Sequence, residues 1–170
     1  MPDEPNLESE FDASNIPPEV DPAVRRSIQA LIQENPFAVL CTQAGGQPYG
    51  SLIAFACSED LRCFVFATSE ATRKYRLLTE CDRVALLADN RGRFPDDMMK
   101  VSAVTITGRA SRIESGANLE QWSRLLVERH PYLKQFVRAP TTALFRVDAV
   151  RFLHVTRFQE VRQWVPTPNG

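Results

Sequence analysis

Hydroxyls and cations crowd one short stretch of this chain, Phe64-Val-Phe-Ala-Thr68-Ser69-Glu-Ala-Thr72-Arg73-Lys74. An apolar, β-prone run ends there and a helix-prone run begins. A helix N-terminus presents unpaired backbone N–H groups and about half a unit of positive charge. Thr68, Ser69 and Thr72 add hydroxyl donors, Arg73 a planar fork and Lys74 a point charge. Together these groups suit a phosphate dianion; the plain alternative is a surface helix whose cations are simply solvated.

Other chemistry is thinly represented. The chain has no Gly-x-Ser-x-Gly elbow, no His-Glu-x-x-His pair and no Walker loop. Cys41, Cys57, Cys63 and Cys81 form no C-x-x-C pair, so they read as small buried thiols rather than zinc ligands or bridges. Of two histidines, His130 precedes Pro131 at a helix end, where a cation favours the dipole. His154 lies in a long strand beside Phe152 and Val150 and reads as a hydrogen-bonded structural imidazole. Asp89-Asn90-Arg91 ends a strand beside the Gly92 loop, either a plain turn or the rim of a substrate mouth. Alternation puts Arg146 and Arg151 on opposite faces of one strand.

Composition narrows the class. The 170 residues are 44% hydrophobic and carry a net charge of -1, enough for one real core and no general pull towards nucleic acid. No apolar run approaches the roughly 20 residues that span a bilayer, and the acidic N-terminus is unlike a secretory signal. The expectation is a cytoplasmic protein with neither nucleic-acid nor membrane partners. Residues 1–20 hold Asp3, Glu4, Glu8, Glu10, Asp12 and Glu19, four prolines and no base, and read as an acidic flexible tail. The folded domain is expected over residues 21–166, with a short tail at 167–170.

Several elements must place the hydroxyl and cation cluster. Asp21-Pro22 opens a helix with Val24, Ile28, Leu31 and Ile32 on one stripe. Phe37–Thr42 and Pro48–Cys57 flank a Gly45-Gly46 hairpin turn, and Leu61–Ala67 follows as a third meandering strand. That third strand sets Leu61, Cys63 and Val65 on one face. A helix spans Ser69–Glu80 with Ser69 as its cap, then strands fall at Asp82–Asn90 and Val101–Ile113. Ala117–Glu128 is a helix carrying Leu119, Trp122, Leu125 and Leu126, with Trp122 read as a core or dimer contact. Thr141–Thr156 is a long strand with Phe145, Val147, Ala149, Leu153 and Val155 in phase, and Glu160–Val165 pairs back on it. The fold class is mainly β with peripheral helices: six to seven antiparallel strands closing into a barrel.

Thr68-x-x-x-Thr72-Arg73-Lys74, entered from the third strand of a meander, resembles the phosphate segment of the pyridoxamine 5'-phosphate oxidase-like split β-barrels. Pro48-Tyr-Gly-Ser51-Leu52-Ile53 is similar to that family's flavin-lining second strand, and Val104-Thr-Ile-Thr-Gly108 to its next long strand. The resemblance covers roughly residues 22–165. It implies an antiparallel split barrel of FMN-binding type, FMN as cofactor and a homodimer with the cofactor at the interface. The implied cofactor residues are Ser51, Leu52, Ile53, Thr68, Ser69, Thr72, Arg73 and Lys74. The founding enzyme has Arg where this chain has Ser51 and Gln where it has Ala103, and its Trp-x7-Arg-Leu-x-Pro ending is missing here. The implied function is an FMN-binding oxidoreductase acting on a small-molecule substrate. The alternatives are a non-enzymatic flavin or haem protein of the same fold, in which His154 could serve iron, or a reductase using deazaflavin F420.

Overall fold

The computed structural model describes residues 21–166, so the expected tails at 1–20 and 167–170 lie outside the described residues. Helix α1 (Pro22–Glu34) starts as its sequence requires: Asp21 Oδ1 accepts from the Ala23 N–H at 2.8 Å, and Pro22 occupies the first turn. It buries Val24, Ile28, Leu31 and Ile32, the stripe read from the sequence. Strands β1 (Phe37–Ala44) and β2 (Gln47–Ala54) pair around Gly45 and Gly46, whose φ values of 57° and 77° make the mirror-image turn that suits strand twist.

A single residue, Phe55, separates β2 from β3 (Ala56–Cys57). The remaining strands are β4 (Cys63–Ser69), β5 (Arg83–Asp89), β6 (Ala103–Arg112), β7 (Thr142–Thr156) and β8 (Glu160–Trp164). All pairings are antiparallel, in the order β2-β1-β5-β6-β7-β4-β3, with β8 added to the far end of β7. Since β2 and β3 stand at opposite ends of that order yet are joined by one residue, the sheet must curl until its ends meet. The result is a split barrel: β2 passes beside β4 without a hydrogen-bonded ladder between them.

The meander forms in part: the end of the expected second strand, β3, pairs antiparallel with β4, Ala56 opposite Val65 and Cys57 opposite Phe64. The longer pairing of β4 is with β7, Cys63 opposite Asp148 through Ser69 opposite Thr142. Leu61 is not in a strand at all. It sits in the preceding turn at φ 61° and enters the main core with Phe64 and Phe66, not the face of Cys63 and Val65. Inside the barrel Phe66 stacks on Phe145 at 5.7 Å and Phe152 meets Trp164 at 4.8 Å between centroids. Each such buried ring is worth roughly 1.5–3 kcal/mol.

Helices cover the openings and one flank. Helix α2 (Arg73–Glu80) begins four residues later than expected, because Ser69 belongs to β4 and Thr72 is the cap. Helix α3 (Ala117–Arg129) lays Leu119, Trp122, Leu125 and Leu126 over Ala56, Val65 and Leu144, so Trp122 is a packing residue. A short helix α4 (Lys134–Arg138) follows, unforeseen because five residues carry no readable period. The four cysteines are free, but Cys41 is exposed and the other three half-buried, shallower than their apolar neighbours implied.

The long strand changes phase midway. Between Thr107 and Gly108 of β6 the register with β7 slips, leaving Val150 as an extra residue. Phe145 and Val147 therefore share the core with Phe152 and His154 rather than with Leu153 and Val155. The same slip carries Arg146 and Arg151 to one face, opposite Ser111 and Thr107, against the simple alternation that separated them. Gly108 permits the close approach: a Cβ there would lie 2.5 Å from the Asp148 carbonyl oxygen and 2.8 Å from Val147 Cγ1. We expect Gly108→Ala to cost about 1–3 kcal/mol in urea denaturation. A loss below roughly 0.5 kcal/mol, within the range of a neutral surface change, would mean that the bulge does not need the missing side chain.

Candidate functional site

Thr68 is the last inward-facing residue of β4, in phase with Phe64 and Phe66 and only 2% exposed. From there the chain turns tightly into α2. The Glu70 N–H donates to Thr141 O at 2.9 Å and the Thr72 N–H to Ser69 O at 3.1 Å. The Thr72 hydroxyl donates to Ser69 O at 2.9 Å and accepts the Tyr75 N–H at 3.1 Å, which caps the helix. With that proton committed, Thr68 is the donor in the 2.9 Å Thr68–Thr72 hydroxyl pair. Both hydroxyls are thus satisfied within the turn and would serve an anion only by rotating about χ1. The first amides of α2, Arg73 and Lys74, lie ahead of the helical ladder, and no carbonyl of that ladder reaches them.

The cations complete the cluster. The Arg73 guanidinium lies 5.0 Å from the Tyr49 ring centroid, which fastens the start of α2 to β2 across the split. Tyr49 is a site residue that the sequence reading missed, because only pairing of β2 with α2 in space reveals it. Lys74 is half-buried, and loss of hydration holds its pKa below the ordinary lysine value. Neither cation forms an ion pair with an acid among the described residues. A partly desolvated ammonium beside a guanidinium and a helix N-terminus is a place where negative charge is favoured.

Strand alternation divides the three β2 candidates. Ser51 follows Tyr49 at i+2 on the inner side, and its buried Oγ has no hydrogen-bond partner among the described residues. Ile53 points the same way but is 5% exposed and packed in the core, so only its backbone is available. The Leu52 side chain is 69% exposed on the opposite face. Ser51 therefore joins Tyr49, Thr68, Thr72, Arg73 and Lys74 at the split, while Leu52 and Ile53 can contribute main chain alone. Ser69 stays within the turn, its Oγ accepting the Ala71 N–H at 3.3 Å. Ala103, paired with Asp89 and Val155, brings no polar group.

The remaining candidates resolve into structure. The Asp89 carboxylate accepts from the Arg91 N–H and pairs with its guanidinium, and Asn90 Oδ1 accepts from the Ser102 N–H; this is a self-satisfied turn. His130 caps the C-terminal end of α3, the helix end expected for it. It is buried, with Nε2 2.8 Å from Phe55 O and Nδ1 3.2 Å from the Tyr132 hydroxyl. His154 is also buried and opens on a cleft of about 310 Å³ lined by Ser27, Arg157, Glu160 and Arg162. Burial, then the Arg162 charge, pushes its pKa down and keeps the ring neutral. A larger cleft of about 710 Å³ lies between α3, α4 and β7 and is lined by none of the residues of the cation cluster.

The family model described as pyridoxamine 5'-phosphate oxidase matches residues 24–156. Among solved structures, a heme binding protein from Mycobacterium smegmatis superposes with a TM-score of 0.76 at 16% identity, over 87% of this chain and 60% of that one. The present chain thus spans about 60% of that protein's length. HutZ, the heme storage protein from Vibrio cholerae, gives 0.65 at 20% identity over 82% and 92% of the two chains. An FAD-binding protein from Mesorhizobium loti gives 0.63 at 16% identity over 76% and 90%. At these identities the likeness is one of fold. Among curated proteins nothing matches.

The electrostatic reading of Lys74 is testable without any ligand. Lys74→Met keeps the stem and removes a charge that no acid among the described residues pairs with, so stability should stay within about 1 kcal/mol of the parent and lean to the stabilising side. The parent's Lys74 binds its proton less tightly folded than unfolded, so it should gain stability as pH rises towards the ordinary lysine value. That gain should vanish in the variant. Chemical denaturation across pH checks both, and a clear loss of stability at neutral pH would mean that the ammonium already has a compensating partner.

Proposed function

The chain belongs to the pyridoxamine 5'-phosphate oxidase family, and from that premise we propose that it holds FMN by its phosphate at the β4–α2 turn and acts as an oxidoreductase on a small molecule. One observation carries the reading: among the described residues, Arg73 and half-buried Lys74 stand without an acidic partner at a helix N-terminus. The orphaned Ser51 hydroxyl beside Tyr49 adds a polar group for a ligand lying in the split.

Bound FMN would supply hydride or electron transfer, so no catalytic acid or base need come from the protein. The chain's own groups bind and orient. Arg73 offers a fork and Lys74 a point charge to a dianion, while the Arg73 and Lys74 amides and the rotating Thr68 and Thr72 hydroxyls supply donors. Strand β2 is terminal in the sheet order, so half of its backbone N–H and C=O groups face away from β1. Those between Ser51 and Ile53 are available to the edge of a flat ring. Leu52, apolar and exposed on the outer face, suits burial by a second copy, and the reading includes a homodimer with the cofactor at its interface.

A second reading, haem binding, is favoured by His154: a buried, neutral imidazole opening on a cleft that holds Arg157 and Arg162, cations suited to carboxylates. The two readings use different residues and give different spectra, two flavin bands against one intense Soret band.

Titration of purified protein with FMN and with riboflavin, which lacks the phosphate, tests the first reading. The parent should prefer FMN strongly. Arg73→Ala/Lys74→Ala should lose about a hundredfold to ten-thousandfold in FMN affinity, two charge-assisted contacts at roughly 1.5–3 kcal/mol each. Riboflavin affinity should barely move, and folding stability should change by less than about 1 kcal/mol. Equal FMN affinity in parent and double variant would place any flavin elsewhere.

A further inference from the structure

The segment Thr68–Arg76 contains one acid, Glu70, two residues ahead of the helix cap. Left free, that carboxylate would stand close to an incoming dianion and oppose it. It is not free. Arg112, the last residue of β6, donates from Nη2 to Glu70 Oε1 at 2.6 Å and from Nη1 to the Tyr75 hydroxyl at 2.7 Å. Its guanidinium also lies 5.7 Å from the Tyr75 ring centroid. Tyr75 in turn meets Phe145 edge-on at 6.0 Å, and Phe145 is the β7 residue directly opposite Arg112. One guanidinium thus grips the cation-bearing turn on both sides, at Glu70 before Thr72 and at Tyr75 after Lys74.

We propose that Arg112 is a positioning residue for the phosphate socket, acting through Glu70 and Tyr75 and not by touching the ligand. Its fork is already engaged by two acceptors, which leaves Arg73 and Lys74 as the cations facing the split. It has two effects. It neutralises and restrains the only carboxylate of the segment, and it fixes the spacing between the Thr72 cap and the Tyr75 N–H that closes the first turn of α2. An exposed ion pair of this kind contributes little to global stability, so its effect should appear in ligand affinity. The inference rests on the phosphate reading of the turn.

Four proteins compared with FMN and riboflavin separate the possibilities: the parent, Arg112→Ala, Glu70→Gln and Arg112→Ala/Glu70→Gln. Arg112→Ala should weaken FMN roughly fivefold to tenfold at low salt, the scale of one unscreened charge several ångströms from a dianion. Riboflavin affinity and denaturation midpoint should hardly change. Glu70→Gln alone should bind FMN at least as well as the parent, and in the double variant it should recover most of the loss. Amide hydrogen exchange without ligand should quicken at Tyr75 and Arg76 in Arg112→Ala. If the parent prefers FMN to riboflavin but Arg112→Ala does too by the same factor, the positioning role is wrong and the phosphate reading stands. A loss in Arg112→Ala that Glu70→Gln does not restore also overturns it, pointing to direct contact between Arg112 and the ligand. A parent with no preference for FMN removes the phosphate reading itself, and the role of Arg112 with it.

Discussion

Phe55 governs the geometry around the split. It joins the two segments that occupy opposite ends of the sheet order, so its position fixes where the barrel closes. The chain grips it from several sides. His130 reaches its carbonyl oxygen, and its ring packs against Phe64 at 5.9 Å. The Arg129 guanidinium lies 4.6 Å from its ring centroid while donating to Ile32 O and Asn35 O at the end of α1. Helices α1 and α3 are thus tied to the closure point by the same side chains that shield it. Were Phe55 to shift, β2 would move relative to β4, and Tyr49 would leave Arg73.

Charge placement around that split is uneven. Nearby arginines have acids to hand: Arg112 with Glu70, Arg109 with Asp82, Arg146 with Asp148. Arg73 and Lys74 have none among the described residues, and burial makes Lys74's charge harder to hold there than in water. A folded chain tolerates such an arrangement when the missing charge arrives with a ligand, and binding then stabilises the fold by mass action. The polar groups of the turn fit that view, since they are satisfied locally and can be redirected by side-chain rotation alone.

Much of this was legible in the sequence where a local rule acted alone. The α1 cap and stripe, the Gly45-Gly46 turn and the positions of most strands follow from spacing and residue type. The failures arose where distant segments decide. Helix α2 begins at Arg73 and not at Ser69 because β7 extends β4 through Ser69 by pairing, something no window around Ser69 contains. The phase change in β7 depends on an absent side chain in β6, and Leu61 adopts a left-handed turn conformation while its side chain enters the core. At the candidate site, the cations and hydroxyls could be listed from the sequence. Tyr49, Glu70, Tyr75 and Arg112 could not be given roles, since those depend on which side chains of β2, β4, α2 and β6 meet in space.

All of these elements converge on one physical claim, that the start of α2 is a seat for a doubly charged phosphate ester. A crystal structure of the protein grown with FMN measures it directly. The account requires the phosphorus to sit within hydrogen-bonding reach of the Arg73 and Lys74 amides and side chains, with the ring running along β2 towards Ser51. Phosphate density elsewhere, with the Arg73 and Lys74 side chains pointing into solvent, would contradict it.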